Sequence, residues 1–475
     1  MIDEQKTISI FWFRKDLRLA DNLGLHTAAQ AGDVLPVFIV DEKSIKEVGQ
    51  ASLWWLYHSL QKLDMSLHHN LNFYVGDPEK ILVKLAKKYN VNKVFFNRVY
   101  EPKQLEADAV VIKYLKDHDV DVLTFAGDLL WEPWQVVKSD KTAYKVYTPF
   151  YRYGCLSAQP PRQPLSEPKK IDLIKDVENK TTLNLFDTLF GNDWKKDRKN
   201  LWEIGEVAAK KRLQDFLSDG FDGYKVDRDF PSRLGVSRLS PHLHFGEISP
   251  QQIWYGIQQF KKHHNIPDAD IDCFYKQLAW REFSYNLLYH FPDLPDKNFQ
   301  KKFDNFPWRY NQKFLHAWQQ GQTGYPLVDA GMRELLQTGY MHNRVRMVVA
   351  SFLVKNLLID WRRGRDWFWD TLVDADLANN SASWQWVAGC GVDAAPYFRI
   401  FNPTTQGKKF DKEGEYTRQF VPELKLLPDK FLFEPWKAPE NILRQAKVEL
   451  GKNYPHPIVS IEDSRKLALA AYKTL

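Results

Sequence analysis

The stretch ISIFWFRKDLRLADNLGLHTAAQAGDVLPVFIV, residues 8–40, decides the fold of the first part of the chain. It begins and ends with short apolar runs of strand length, residues 8–13 and 34–40. Helical patterns and further apolar runs then alternate, at residues 51–67 (helix), 71–75 (strand), 79–89 (helix) and 91–96 (strand). This alternation predicts a parallel, Rossmann-like α/β sheet. No G-x-G-x-x-G pattern follows the first strand, so the ordinary dinucleotide-binding fingerprint is absent.

The rest of the chain divides into two further zones. Residues 131–200 lose the alternation and are rich in proline and then lysine, which predicts a long, partly wrapped linker. Beyond this linker helical periodicity dominates, with long amphipathic candidates at residues 272–289 and 328–358 and a last helix at 462–472. We therefore predict an α/β domain over residues 1–130, a linker over 131–200 and an all-α domain over 201–475.

The composition sets outer bounds on the function. A 44% hydrophobic share provides for sizeable cores, and 17 tryptophans predict stacking surfaces. The net charge of +6 is mild and permits an anionic partner without showing one. Cys155, Cys273 and Cys390 have no metal-ligand spacing and favour a reducing compartment. Since no signal-peptide pattern and no apolar run of about 18 residues is present, we expect a cytoplasmic protein that spans no membrane.

A second stretch, DADLANNSASWQWVAGCGVDAAPYFRIFNPTTQ at residues 374–406, has the composition of a ligand pocket. It places Asp374, Asp376 and three asparagines beside Trp384 and Trp386, among small residues. Buried amides and carboxylates cost free energy unless they are hydrogen-bonded, so a plain core is a poor explanation. Aromatic faces, polar edges and small residues together suit a large, flat ligand with polar edges.

Three other groups of residues leave alternatives open. The loop at residues 235–241 offers backbone N–H groups, two hydroxyls and a guanidinium to a phosphate, although a plain serine-capped helix start, as also at Ser249, is the commoner use of this pattern. Asp374 and Asp376 suit a metal, an acid–base pair or arginine pairing, and without a His or Cys cluster we predict no metal. Basic residues interleaved with Trp280, Tyr397 and Phe398 suit nucleic acid or simply solvated faces; they are Lys276, Arg281, Arg309, Arg344, Arg399, Lys408 and Lys409.

Six motifs in a fixed order carry a family resemblance. They are FWFRKDLR at residues 11–18, SRLS at 237–240, WREF at 280–283, TGYP at 323–326, MHNRVRM at 341–347, and WQW at 384–386 followed by NPTTQ at 402–406. Over nearly its whole length the chain resembles the photolyase/cryptochrome family, and most closely a class I cyclobutane pyrimidine dimer photolyase. The resemblance implies an N-terminal antenna domain and a C-terminal helical domain that holds FAD in a folded conformation.

The resemblance also assigns residues around FAD. The loop at 236–240 is expected to contact the phosphates of FAD. Asp374, paired with Arg346, and Asp376 are expected to hold its flavin and ribose ends. Asn380 is expected to face the central flavin ring and to favour the reduced, anionic state. The expected FAD-binding residues are Tyr224, Val236, Ser237, Arg238, Leu239, Ser240, Arg346, Asp374, Ala375 and Asp376. Trp384, Trp361 and Trp308 are expected to form a relay that carries electrons inward under light, with Trp384 nearest FAD and Trp308 nearest solvent.

The substrate implied by the resemblance is UV-damaged DNA. The reduced cofactor is expected to give an electron to a dimer that is flipped out of the duplex, and the dimer then splits. Trp280 and Trp386 are expected to wall the substrate pocket. The other residues expected to contact the damaged strand or the dimer are Gln277, Arg281, Asn343, Arg344, Met347, Arg399 and Gln406.

The chain departs from the family pattern in two places. Gln277 stands where they usually carry an acid, and glutamine there is familiar in (6-4) photolyases, which however carry histidines where this chain has Asn343 and Met347. Lys103 and Gln104 stand where folate-binding relatives usually carry an Asn-Glu pair. A deazaflavin, a folate, a second flavin or no second chromophore therefore all stay open.

Other functions are compatible with some of the same residues. A (6-4) photolyase or a cryptochrome-type blue-light sensor shares the FAD pocket and the tryptophans. A dark flavin oxidoreductase or a general nucleotide-binding protein is a more distant alternative and needs no aromatic wall for DNA. We expect a monomeric repair enzyme.

Overall fold

Five parallel strands form a single sheet at the N-terminal end of the protein, whose computed structural model describes residues 7–189 and 199–475. The strand order is β3-β2-β1-β4-β5. The strands are β1 Ile8–Phe13, β2 Asp33–Val40, β3 Asn72–Val75, β4 Lys93–Asn97 and β5 Asp121–Phe125. The four predicted strands are all present, and the predicted fold class is confirmed. The edge strand β5 was not predicted; its residues from Val122 to Phe125 are only half-buried.

Helices cover both faces of the sheet, as expected for parallel strands. The helices of this part are α1 Leu23–Ala31, α2 Gln50–Ser66, α3 Pro78–Tyr89 and α4 Pro102–Lys116. Alternate residues of β1 point to opposite faces, so Phe11 and Phe13 pack in one apolar cluster, while Ile10 and Trp12 pack in another.

The remainder of the described chain is helical. Its α-helices are α5 Tyr147–Pro149, α6 Glu206–Asp219, α7 Tyr224–Asp227, α8 Ser240–His244, α9 Pro250–Lys261, α10 Asp268–His290, α11 Gln312–Gln319, α12 Pro326–Thr338, α13 Asn343–Ser351, α14 Trp361–Thr371, α15 Leu377–Ala388, α16 Pro403–Phe410, α17 Glu415–Phe420, α18 Asp429–Leu432, α19 Glu440–Gln445 and α20 Ile461–Tyr472. The last predicted helix is present as α20.

The single long helix predicted over residues 328–358 is wrong. The structure divides it into α12 and α13, and a π-helical turn at Phe352–Asn356 follows α13. Gly339 ends α12 with a φ of 72°, a conformation that glycine adopts without strain. His342 then caps α13 by accepting a hydrogen bond from the Arg344 N–H. The break therefore places Asn343 and Arg344 in the first turn of a new helix.

The two serines predicted to cap helices behave differently. Ser249 caps α9 in a reciprocal box with Gln252. Ser240 does not cap α8, because Leu239 occupies the capping position and the Ser240 hydroxyl donates to Asp374 instead. The plain-cap explanation of this loop is therefore wrong.

Arg18 joins the sheet to the helical part. Its guanidinium is fully buried and donates to the carbonyl oxygens of Asp21, Gly127 and Gly246. It also forms an ion pair of 3.0 Å with Asp128. A buried cation needs this many partners, since an unpaired one is costly. The segment that follows Asp128 is mostly irregular but buries Trp131, Tyr144 and Phe150 against the helices.

No helix in the described part of the chain is long and apolar enough to cross a bilayer.

Candidate functional site

Asp374 is the centre of a hydrogen-bonded cluster that joins three segments of the helical part. It lies just before α15, with 9% of its surface exposed. Its carboxylate accepts from Arg346 Nη2 at 2.9 and 3.1 Å and from Ser240 Oγ at 2.6 Å. Arg346 Nε in turn donates to the Met341 carbonyl. Burial is the largest single influence and lowers the pKa of Arg346, but Asp374, Tyr340 and Glu334 together outweigh burial and raise this pKa.

Asp376, two residues further, caps α15 and stays ionised. Its carboxylate accepts from the backbone and side-chain N–H groups of Asn379, at 2.8 and 2.6 Å, and from the Tyr285 hydroxyl. Burial alone would raise the pKa of Asp376, yet His244, Arg281 and Tyr285 together hold it well below its usual range. The predicted ribose-holding residue is therefore a preorganised carboxylate acceptor, and Ala375 lies buried between it and Asp374.

The loop before α8 has the chemistry of a phosphate site. In the described part of the chain, the backbone N–H groups of Val236, Ser237 and Arg238 donate no hydrogen bond to the protein. Arg238 has a φ of 53° and an exposed side chain, whose guanidinium lies 5.2 Å from the Tyr340 ring centre. Free N–H donors, hydroxyls and a guanidinium at one loop suit the phosphates of FAD.

The other predicted FAD residues in this region are buried. Tyr224 packs against Phe216 and Phe274, and the Arg228 guanidinium lies over its ring. Leu239 is also buried, and its N–H faces the Ser237 hydroxyl at 3.4 Å.

Of the three predicted relay tryptophans, two are buried, and Trp308, expected to lie nearest solvent, is the most exposed. Trp384 on α15 and Trp361, the first residue of α14, are 2% and 0% exposed. Trp361 donates from Nε1 to Asn298 Oδ1 at 2.9 Å. Trp308 is only half-buried, with its ring 4.3 Å from that of Phe306. The relay itself stays a prediction.

Gly364 lets the helices that carry Trp361 and Trp384 approach closely. A Cβ at Gly364 would lie 2.0 Å from Cη2 of Trp384, so no side chain fits between α14 and this ring. Asn380, one turn before Trp384, donates from Nδ2 to the Arg365 carbonyl at 3.1 Å. Asn380 is thus oriented from the same helix that supports Trp384.

An aromatic stack forms the proposed wall of the substrate pocket. The half-buried ring of Trp280 stacks on Tyr147, with ring centres 3.7 Å apart and an interplanar angle of 5°. Gln277 lies nearly one turn before Trp280 on α10, and its Oε1 accepts from Arg228 Nη2 at 3.0 Å. Trp386 on α15 is half-buried as well.

The remaining predicted substrate residues lie on three further segments. Asn343, in the first turn of α13, is exposed, and Met347 is half-buried one turn later. Arg344 forms an ion pair of 2.6 Å with Asp229 and lies over the Phe410 ring. Arg399 is exposed in the segment after α15, and Gln406 is half-buried on α16. Their roles stay predictions.

Arg281 departs from its predicted role. Its side chain is 11% exposed and donates to the Asp128 carbonyl, with its guanidinium over the Tyr285 ring. One residue on an α-helix corresponds to a rotation of about 100°, so Arg281 faces the interior when Trp280 faces the pocket. This placement argues against a DNA contact and for a structural role.

Two residues of the site were missed from the sequence. Tyr147 lies in the segment interpreted as a linker, and Arg228 follows α7 without a recognisable motif. Their partners, Trp280 and Gln277, are distant in sequence, so no periodic pattern could have indicated these contacts. As for metals, no group of three His, Cys, Asp or Glu side chains within residues 7–189 and 199–475 is arranged to hold one.

Comparison with known proteins matches both parts of the chain to family models. Residues 9–169 match the model described as DNA photolyase, and residues 274–474 match the FAD binding domain of DNA photolyase. A deoxyribodipyrimidine photo-lyase of Agrobacterium fabrum is 48% identical, with 98% of this chain and 97% of the relative covered. Cryptochrome-1 of Arabidopsis thaliana is 37% identical, with 96% of this chain and 69% of the relative covered.

A solved structure gives the same result. The crystal structure of a bacterial class III photolyase from Agrobacterium tumefaciens superposes with a TM-score of 0.94 at 46% identity, covering 99% of this chain and 98% of the other. Because this relative is a class III enzyme, the class I assignment stays a prediction. The predictions of a photolyase-type enzyme and of FAD as its cofactor are confirmed. The chain is a member of the photolyase/cryptochrome family.

Proposed function

We propose that the protein repairs UV-damaged DNA under blue light by splitting a cyclobutane pyrimidine dimer. The observation that carries the proposal is the Trp280–Tyr147 stack, which offers a rigid aromatic wall beside the hydrogen-bonding edge of Gln277. A partly exposed aromatic wall suits a flipped dimer of two joined pyrimidines, since contact with an aromatic side chain stabilises an unstacked base by about 1–3 kcal/mol. FAD, when bound and reduced, supplies the electron that opens the dimer.

The chain's own residues position this chemistry. Asp374 and Asp376 are held in place by hydrogen bonds from Arg346, Ser240, Asn379 and Tyr285, so they can accept hydrogen bonds from FAD without rearrangement. Arg344 and Arg399 provide positive charge on the segments beside the pocket. Phosphate contacts of this kind dominate the affinity for DNA, which therefore falls as the salt concentration rises, whereas the pocket selects the lesion.

Repair of a defined lesion tests the proposal directly. Reduced protein is illuminated with blue light in the presence of an oligonucleotide that carries one thymine dimer, and the restored thymines are quantified against a dark control. Light-dependent repair is expected. A protein that binds FAD but leaves the dimer intact in the light would favour a sensor, and turnover in the dark would favour a flavin oxidoreductase.

A (6-4) photolyase is the second candidate, because Gln277 is the residue familiar at this position in those enzymes. An oligonucleotide with a (6-4) product, illuminated in parallel, separates the two. Asn343 and Met347 support the cyclobutane dimer, since the (6-4) enzymes carry histidines there. Repair confined to the (6-4) product would overturn the assignment.

Gln277→Glu is expected to change the yield of dimer repair only modestly, by less than roughly tenfold (about 1.4 kcal/mol). The new carboxylate still faces Arg228, 3.0 Å from the present amide oxygen, and gains an ion pair there. Repair per absorbed photon and the FAD content of the purified variant are the measurements. Complete loss of FAD would contradict the role given to Gln277.

Trp280→Ala is expected to weaken binding of lesion DNA by about 1–3 kcal/mol, roughly 5- to 150-fold, because it removes the ring that Tyr147 supports. Affinity for undamaged DNA is expected to change little, since phosphate contacts dominate it. Fluorescence anisotropy with both DNAs measures the difference. Trp254→Ala, which removes another tryptophan stacked on a tyrosine of α10, is the control.

We also propose that residues 1–130 and 201–475 act as antenna and FAD domains, joined by 131–200, in a cytoplasmic monomer. The second chromophore stays open. Lys103, which replaces the asparagine of folate-binding relatives, forms an exposed ion pair of 2.7 Å with Glu47. The absorption spectrum of protein purified from its native host would identify any second chromophore, and size-exclusion chromatography with light scattering tests the monomer.

A further inference from the structure

A buried lysine lies beneath the segment that carries Arg399. Lys355, in the π-helical turn after α13, is only 1% exposed. Its Nζ donates to the backbone carbonyl of Arg399 at 2.8 Å. Among the described residues no carboxylate lies within ion-pair distance of this amine. The groups that face it are the Tyr397 ring, 5.2 Å from Nζ, and Arg399 itself.

A lysine in this environment is expensive for the folded protein. A buried ammonium without an anionic partner loses most of its hydration, and one hydrogen bond to a carbonyl recovers only part of that free energy. Burial, with the charge of Arg399 as a smaller cause, lowers the pKa of Lys355 to about 7. An apolar side chain of similar length would fill the same space at a lower cost, so stability alone does not explain a lysine here.

The segment held by Lys355 has the features of a contact surface. Between α15 and α16 it lacks regular structure, and it presents Phe398, 65% exposed, next to the exposed Arg399. In the described part of the chain the Arg399 guanidinium has no hydrogen bond or ion pair with the protein. One further bond, from the Phe401 N–H to Ser351 Oγ at 3.3 Å, ties the segment to the helix that precedes Lys355.

We propose that Lys355 is a positioning residue that holds the backbone at Arg399, so that the Arg399 guanidinium is presented to a phosphate of the damaged strand. This inference rests on the proposed function. An anchored segment loses less conformational entropy on binding than a mobile one, which is the advantage of preorganisation. The buried amine thus lowers the stability of the folded protein but raises its affinity for DNA.

Lys355→Met separates positioning from a merely structural role. It is expected to weaken binding of dimer-containing DNA by roughly tenfold and to lower the slope of log affinity against log salt by about one, as loss of one phosphate contact does. At the same time its melting temperature at pH 6 is expected to exceed that of the wild type. A structural role predicts the opposite sign for the melting temperature.

The pH dependence of stability follows from the lowered pKa. The unfolded chain binds a proton at Lys355 up to about pH 10.4, whereas the folded chain releases it near pH 7. Wild-type stability therefore gains from this group as the pH rises from 7 towards 10. The advantage of Lys355→Met in melting temperature should be largest at pH 6 and should shrink by pH 9. Lys313→Met, at an exposed lysine of α11, is the matched control and should change neither quantity.

A double-mutant cycle with Arg399→Ala decides whether Lys355 acts through Arg399. In the Arg399→Ala background, Lys355→Met should have no further effect on DNA affinity. Wild-type affinity in the single variant, or an equal loss in both backgrounds, would overturn the inference. Should Lys355→Met fail to fold, Lys355→Arg, which keeps a donor, must retain lesion binding. A wild-type protein that does not bind damaged DNA refutes the proposed function instead.

Discussion

Replacement of Trp384 by phenylalanine is expected to slow light-driven reduction of bound FAD by at least tenfold, about 1.4 kcal/mol or more in activation free energy. The physical reason is that a benzene ring is far harder to oxidise than an indole, so the innermost position of the predicted relay can no longer give up an electron. The smaller ring still packs between Gly364 and Phe368, whose ring lies 5.0 Å away, so FAD should be retained.

Anaerobic illumination with an external thiol, followed by absorption spectroscopy, measures this rate. Trp318→Phe is the matched control, because Trp318 is buried 6.3 Å from Trp384 but is not a member of the predicted relay. Dimer repair by chemically reduced Trp384→Phe should stay close to wild type. Photoreduction that is undiminished in Trp384→Phe, or equally diminished in Trp318→Phe, would refute the relay.

Asp374→Ala is expected to yield protein that largely lacks FAD, with affinity lowered by about 2–4 kcal/mol, roughly 30- to 1,000-fold. The substitution removes the acceptor that Arg346 and Ser240 share, and it leaves a guanidinium in the site without its anion. Because the Arg346 side chain is 25% exposed, water recovers part of the loss, which keeps the estimate below that for a fully buried pair.

The ratio of FAD to protein after purification, and calorimetric titration with FAD, measure the effect. Asp374→Asn keeps an acceptor oxygen without the charge, so its affinity for FAD should lie between those of the wild type and Asp374→Ala. Glu462→Ala removes a carboxylate paired with Lys466 on the exposed face of α20 and should bind FAD normally. If Asp374→Ala purifies with a full complement of FAD, the cluster around Asp374 does not hold the cofactor.

The elements that depend on local pattern could be predicted from the sequence. β1 and β2 are short apolar runs buried in a parallel sheet, and such a run can be recognised without knowing which distant segment it pairs with. The division of residues 328–358 was missed because helical periodicity continues on both sides of Gly339, and a single glycine is tolerated inside many helices. The left-handed φ of Gly339 depends on where the chain goes next in the tertiary structure, so the sequence alone does not show it.

The site divides in the same way. The pair of Asp374 and Arg346 was expected from the family resemblance, and the structure brings these two distant motif residues into contact. Tyr147 was missed, and Arg281 was given the wrong surroundings, because stacking and burial depend on contacts between distant segments. Ser240 shows the difference well, since the sequence predicts a helix cap where the structure uses the hydroxyl for Asp374.

The guanidinium of Arg18 bears on any attempt to divide this chain into modules. Cutting between the sheet and the helices would strand a cation in one fragment and leave the carbonyl of Gly246 without its donor in the other. A shortened protein made of the helical half alone should therefore misfold or precipitate, even though it would hold every residue expected around FAD. We therefore expect the helical part of the chain to depend on the sheet for its stability.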